Sequence, residues 1–278
     1  MTEKTKNNTA EDSALNYHKL SIQISLNGLS FCILDTIGNK IEKADSITFT
    51  KELTPYEVQK RLKEIFTKHR VTNYSYSEVV VVHRNNLFTL VPKAIFDEKE
   101  LVNYLKFNTK ILANDLISFD EIESYDIVNV YVPFVNINNY IYELFGEFTY
   151  MHNGTVMIQS LLSTQSNGKE TVCYAHISGQ QLDITVISEK KLLFYNSFNY
   201  NTKEDFIYYL LFTFEQLKLD SDTTKLRLFG TINENDEIYN LCYSYVNNIS
   251  IYIPASNTFI FDKTEEDSGI DFTILNTL

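Results

Sequence analysis

From Leu20 onward, polar and apolar positions alternate. In KLSIQISLNGLSFCILDTIGNKI, Ile22, Ile24 and Leu26 take turns with polar neighbours, and Leu29, Phe31 and Ile33 do so again after Asn27-Gly28. A period of two puts successive side chains on opposite faces of a strand. Asn-Gly between two such runs predicts a hairpin, because both residues tolerate positive φ. SITFT, residues 46–50, reads as a third strand. TPYEVQKRLKEIFTKHR then changes to a helical period: Thr54 is placed to cap it, Pro55 suits the first helical position, and Glu57 completes a capping box. Val58, Leu62, Ile65 and Phe66 form a single apolar stripe, so one side of this helix packs. The unbroken run Val79–Val82 predicts a strand covered on both faces. Further along, the pattern predicts a helix over Glu98–Phe107, a strand over Ile127–Val132, a helix in VMIQSLLSTQ, and a hinge at SNGKE.

Past that hinge the pattern restarts at an offset of 153: Ile24 falls on Ile177, Ser25 on Ser178, Leu29 on Leu182, Phe31 on Ile184 and Ile33 on Val186. The same order follows (hairpin, strand, helix, strand), which points to an internal duplication. The chain accordingly divides into a polar tail (1–14), a first lobe (15–166), a second lobe (167–261) and an acidic C-terminal segment (262–278), in which DKTEEDSG reads as solvated. The helix of the second half lies in an aromatic run, FYNSFNYNTKEDFIYYLLFTFEQLKLD. Thr202 and Asp205 form its capping box, and Phe206, Tyr209, Leu210, Thr213 and Leu217 trace one face. Ile207, Leu211 and Phe214 fill much of the rest. A helix apolar around most of its girth needs cover on more than one side, so it is expected between its own sheet and the other lobe. Base-stacking aromatics would need interleaved cations, and only Lys203 and Lys218 are present, at the ends.

Composition narrows the function classes. The chain has 278 residues, is 44% hydrophobic and carries a net charge of -12, which argues against nucleic-acid grooves and anionic membranes as partners. Cys32, Cys173 and Cys242 lie far apart in apolar runs without a CxxC pair, as buried thiols in a reducing compartment do. No apolar leader and no 18-residue apolar run occurs, so no membrane span and a cytoplasmic location are expected. His18, His69, His83, His152 and His176 show no metal-ligand spacing, and neither GxSxG nor GxxxxGK[ST] is present. His83-Arg84 either lines a cleft or marks a strand end emerging into solvent.

A repeated hairpin, strand, helix and strand with a joint between copies resembles the two-lobed actin-like fold of actin, heat-shock chaperones and sugar kinases. NSFNYNTKEDFIYYLLFTFEQLKLD, with LSIQISLNGLSFCILD before it and LRLFGTI after it, resembles the bacterial family of domain of unknown function 3822, over Leu20 to Pro254. The resemblance implies an α/β, two-lobed actin-like (ribonuclease H-like, duplicated) fold, each lobe a mixed sheet that begins with a β-hairpin and is flanked by helices. In active members of the wider fold, each lobe's first hairpin carries an acidic residue and glycines. The carboxylates hold a divalent metal through water while turn amides meet phosphates.

This chain departs from that pattern. No Asp or Glu lies between Leu20 and Leu34, His176 stands where the second acidic residue is expected, and Gly230 alone replaces a glycine pair. The cleft implied by the resemblance is formed by Asn27, Gly28, Ser178, Gly179, Gln180, Gln181, Asp183 and Gly230. It is expected to be polar and nearly uncharged, suited to a small neutral ligand or water. Two readings follow: a non-catalytic binding or scaffold protein with a protein partner and no cofactor, or an ATP-binding protein or weak ATPase that uses magnesium and closes its lobes on ligand.

Overall fold

The computed structural model describes residues 17–112, 114–164, 170–254, 260–261 and 270–278. The tail 1–14, most of SNGKE and all of DKTEEDSG lie outside the described residues. Three strands open the chain: β1 (His18–Ile24), β2 (Gly28–Asp35) and β3 (Lys40–Thr48). The third starts six residues before SITFT, because Lys40 and Ile41 already pair with Asp35 and Leu34. Next come α1 (Pro55–His69), with the expected Thr54–Glu57 capping box, and β4 (Tyr76–His83). A small unit is inserted here: β5 (Phe88–Pro92), α2 (Leu101–Leu105), β6 (Ser118–Ile122) and β7 (Ile127–Tyr131). The helix expected over Glu98–Phe107 is shorter, with a 3-10 turn at Glu98–Glu100 leading into α2. The first half ends with α3 (Val135–Phe145), β8 (Thr149–His152) and α4 (Asn153–Thr164).

The second half runs β9 (Val172–Ser178), β10 (Gln181–Ser188), β11 (Lys191–Asn199), α5 (Lys203–Gln216), β12 (Lys225–Gly230), α6 (Glu237–Tyr243) and β13 (Ile249–Ile251). Two short elements, β14 (Ile260–Phe261) and α7 (Phe272–Leu275), complete it. The first sheet has the order β14-β3-β2-β1-β4-β8, the second β11-β10-β9-β12-β13, and the insert β5-β7-β6. In both large sheets the opening hairpin is antiparallel and the strand after the helix pairs parallel to the first strand. This is an α/β fold of two lobes with a shared strand order. The sheets do not divide the chain at 261, because β14 pairs with β3 and so belongs to the first lobe.

Each lobe packs a helix on its sheet. Val58, Leu62, Ile65 and Phe66 of α1 join Leu20, Ile22, Ile24 and Phe31. Phe206, Leu210 and Phe214 of α5 join Ile177, Leu182, Ile184 and Leu228. The expectation that α5 is sandwiched between lobes is wrong: its core partners all come from its own half, and Tyr208 and Phe212 are 60% and 44% exposed, stacked on each other. The interlobe element is α4. Met157, Ile158 and Leu161 meet Tyr174, Ile187, Tyr195 and Phe229 of the second half, with Phe88 and Phe272 completing that core. Gly154 allows the close approach, since a Cβ there would lie 2.6 Å from the Tyr195 ring. The three thiols are buried and free, and burial raises the pKa of each, to about 12 for Cys32 and Cys242. Among the described residues no helix is long and apolar enough to cross a membrane.

The two faces of α5 differ in what they tolerate. Leu210→Asp, which buries an unpaired carboxylate, is expected to unfold the protein, whereas Tyr208→Ser with Phe212→Ser is expected to cost about 1 kcal/mol or less. Circular dichroism during urea titration distinguishes them; a folded Leu210→Asp protein contradicts the assignment.

Candidate functional site

The two hairpin turns converge on one cavity of about 180 Å³ between the lobes, lined among others by Ser25, Asn27, Gly28, Ser178, Gly179, Gln181 and Gly230. Each turn is anchored by the segment after its own third strand. The carbonyls of Asn27 and Leu26 accept from the Phe49 and Leu53 amides (2.8 and 2.9 Å). In the second lobe, the Tyr200 amide donates to Gln180 O (2.9 Å) and its hydroxyl to Gly179 O (2.8 Å). The first turn closes through the Ser25 amide and hydroxyl, both donating to Gly28 O at 2.9 Å.

Glycine serves these turns differently from the expectation. Neither Asn27 nor Gly28 has a positive φ; Gly28 is required because a Cβ would stand 2.6 Å from Ile47 O of the neighbouring strand. Gly179 does take φ +59, and Gly230 takes φ +95 with Ile177 O only 2.0 Å from where a Cβ would be. Of the eight residues implied by the resemblance, six line the cavity. Gln180 lies exposed at the turn, only its backbone carbonyl being engaged, by the Tyr200 amide, and Asp183 lies fully buried just beneath the lining.

The cavity is not nearly uncharged. Arg84, at the end of β4, is 3% exposed and lines it; the solvent-facing alternative for His83-Arg84 is wrong for both residues. The Arg84 amide continues the β1–β4 ladder by donating to Ile24 O (2.8 Å), which fixes its position beside the first turn. Its Nη2 donates to Asp183 Oδ2 (2.6 Å), and its Nη1 is 3.5 Å from Asp271 Oδ2. His176 Nδ1 donates to the same Asp183 oxygen (3.2 Å), and its Nε2 is 3.9 Å from Asp271. Burial pushes the Asp183 pKa up, but Arg84 and His176 outweigh it and hold the carboxyl well below its usual range. Asp271 is depressed in the same way against the cost of burial, by His176 and Arg84.

The chemistry of this set is restrictive. The resemblance to active actin-like proteins implies a nucleotide with magnesium, and magnesium needs carboxylate oxygens open to it or to its waters. Here Asp183 Oδ2 and Asp271 Oδ2 both face a guanidinium, and a cation placed among them would lie against Arg84. These residues do not fit that group. Of the charged side chains at the cavity, Asp271 was not singled out in the sequence, and Arg84 was left open between lining a cleft and facing solvent. Arg84 carried a signal, an arginine directly after a four-valine strand, while Asp271 stood among other acidic residues.

A family model described as "Protein of unknown function (DUF3822)" matches residues 6–249. The chain belongs to this family. A protein of Bacteroides thetaiotaomicron described as having an actin-like ATPase fold and unknown function is similar to it, with a TM-score of 0.74 and 24% identity, over 90% of this chain and 96% of that one. The PilM-PilN type IV pilus biogenesis complex is similar at a TM-score of 0.57 and 12% identity, over 92% and 96%. At these identities the similarity establishes the actin-like fold. A search of curated proteins matched none.

Two histidines flank the cluster in neutral form. Burial lowers the His83 pKa to about 3 and that of His152 to about 4. His83 Nδ1 accepts from the Phe134 amide (3.3 Å) and Nε2 faces Asn138 Oδ1 (2.9 Å), an arrangement that uses both nitrogens without a second proton. The unfolded chain takes up these protons near pH 6.5, the folded chain only far lower, so their stability contribution is complete above about 6.5 and is lost on acidification. Asp120, raised by burial to about 6, acts in the opposite sense over roughly pH 4 to 6. With two histidines against one carboxyl, the urea midpoint should fall between pH 7 and about 4.5, and fall less in His83→Asn. A midpoint that rises on acidification contradicts the neutral assignment.

Proposed function

We propose that this protein is a non-catalytic binding or scaffold module, which uses the cleft side of an actin-like framework to engage a protein partner. The observation that carries the reading is that one oxygen of each carboxylate, Asp183 Oδ2 and Asp271 Oδ2, faces Arg84, whose charge stands where a nucleotide's metal would have to sit. The cavity volume of about 180 Å³ supports it, since ligand pockets typically run from roughly 300 to 1,000 Å³. No cofactor is part of this reading. The likeness to a component of the PilM-PilN complex accords with a protein partner, because that framework occurs there in a two-protein assembly. Three buried free thiols accord with a reducing, cytoplasmic setting.

The alternative, nucleotide binding with lobe closure, is tested directly by thermal shift. A ligand at one hundred times its dissociation constant stabilises by about 2.7 kcal/mol, which Mg-ATP or Mg-ADP would reveal as a shift of several degrees. We expect no shift and no phosphate release above background. For the partner, a photo-crosslinking side chain at Thr48, on the cavity rim, should capture one discrete protein in the native cell, and the same probe at Lys110 should not. A clear Mg-ATP shift, or equal capture from both positions, sinks the reading.

A further inference from the structure

The last nine residues, 270–278, sit against the first lobe with their leading edge in the cleft, where Ile270, Asp271 and Phe272 line the cavity. Their attachment is of an unusual kind. The Leu275, Asn276 and Thr277 amides donate to Asp271, Phe272 and Ile274 carbonyls, and the Thr273 amide donates to Asp271 Oδ1, so the segment caps and closes its own turn. Among the described residues no backbone-to-backbone hydrogen bond joins it to either sheet. Side chains alone hold it. Asp271 faces Arg84 and His176, the Thr273 hydroxyl donates to Gln23 Oε1, and the Thr277 hydroxyl meets Ser21 Oγ at 2.6 Å. The Phe272 ring meets Phe229 edge-on at 5.1 Å, and Ile274 fills a pocket of Cys32, Leu34 and Ile41. A folded turn held in a groove by one carboxylate, one ring, two hydroxyls and the aliphatic Ile274, with Ile270, Leu275 and Leu278 packed around it, has the contact pattern of a bound peptide rather than of a sheet element.

The groove beneath is not fully satisfied by this occupant. Arg84 Nε and Asp183 Oδ1 are buried without a hydrogen-bond partner, and Asp271 reaches Arg84 at 3.5 Å against 2.6 Å for Asp183. A ligand able to approach Arg84 more closely would gain what Asp271 leaves unused.

We propose that residues 270–278 are a built-in competitor for the cleft, and that the partner supplies a short segment of the same chemistry, an acidic residue followed by an aromatic, a hydroxyl and an aliphatic side chain, which displaces them. This rests on the reading of the cleft as the binding site. In the docked state the cleft is closed by its own chain, and apparent affinity for a partner segment is reduced by the fraction of molecules in which the segment is displaced.

The test uses the full-length chain and a fluorescent peptide with the sequence IDFTILNTL. Asp271→Ala with Phe272→Ala should weaken docking of the protein's own segment, so this variant is expected to bind the peptide about tenfold or more tighter than wild type. An unlabelled peptide with alanine in place of its Asp and Phe should fail to compete. Equal binding by wild type and variant, or binding by neither, overturns the proposal. Should the variant not fold, hydrogen exchange on the wild-type protein decides: the Leu275, Asn276 and Thr277 amides should exchange at least about 100-fold faster than those of Ile22 and Ile177, through local opening. Exchange at the core rate overturns the proposal while leaving the scaffold reading intact. If the variant binds the peptide and also gains a Mg-ATP shift, the segment is a competitor and the non-catalytic reading is the one that fails.

Discussion

A buried guanidinium must have its charge met, and Arg84 has it met by carboxylates from two distant parts of the chain. It reaches the structure at the end of β4 in the first lobe, Asp183 comes from the outgoing strand of the second hairpin, and Asp271 from the C-terminal segment. Desolvating a charge costs several kcal/mol, recovered only while the partners stay in place. The relative position of the lobes is therefore written into one electrostatic requirement: separating Arg84 from Asp183 strands a charge in a site from which water has been removed. Asp271, at 3.5 Å, ties the C-terminal segment more weakly. His176, donating to the same Asp183 oxygen, adds a fourth contributor from the incoming strand of that hairpin.

The same pairing accounts for the function we assign. On this framework the space between the two hairpin turns is shaped mainly by backbone: Gly28 packs against Ile47 O, Gly230 against Ile177 O, and the turn carbonyls are taken up by Phe49, Leu53 and Tyr200. Those features are retained by folding and do not depend on chemistry in the cleft. The charged side chains that do lie there, Arg84, Asp183 and Asp271, are paired with one another. The fold is held by the apolar stripes of α1, α4 and α5 together with the buried charge pairing between the lobes.

Much of the architecture was legible in sequence because it rests on local patterns. The Thr54–Glu57 and Thr202–Asp205 capping boxes, the two alternating hairpins and the Val79–Val82 strand are each specified within a few residues. Features that depend on distant segments were not. An aromatic-rich α5 reads as covered all round, yet the stacking of Tyr208 on Phe212 lets an apolar pair face solvent, while the interlobe contact falls to α4. Asn27-Gly28 reads as a positive-φ turn, but Gly28 answers a neighbouring strand's carbonyl. The site shows the same limit. Its turn residues, Gly230 and Asp183 were implied by the family resemblance. The pairing itself joins Arg84 and Asp183, 99 positions apart, and Asp271, 88 beyond that, separations over which no periodicity carries information.

Arg84 and the cleft carboxylates are bound to each other rather than held ready for a ligand. A double-mutant cycle on urea unfolding tests it most directly, with Arg84→Met, Asp183→Asn and the pair measured at neutral pH. Each single change leaves a buried partner uncompensated and should cost about 3 to 5 kcal/mol, and the double variant should recover a coupling of about 2 kcal/mol or more. Costs that add to within about 0.5 kcal/mol would contradict the account, since independent residues in that cleft would be free to serve a ligand instead.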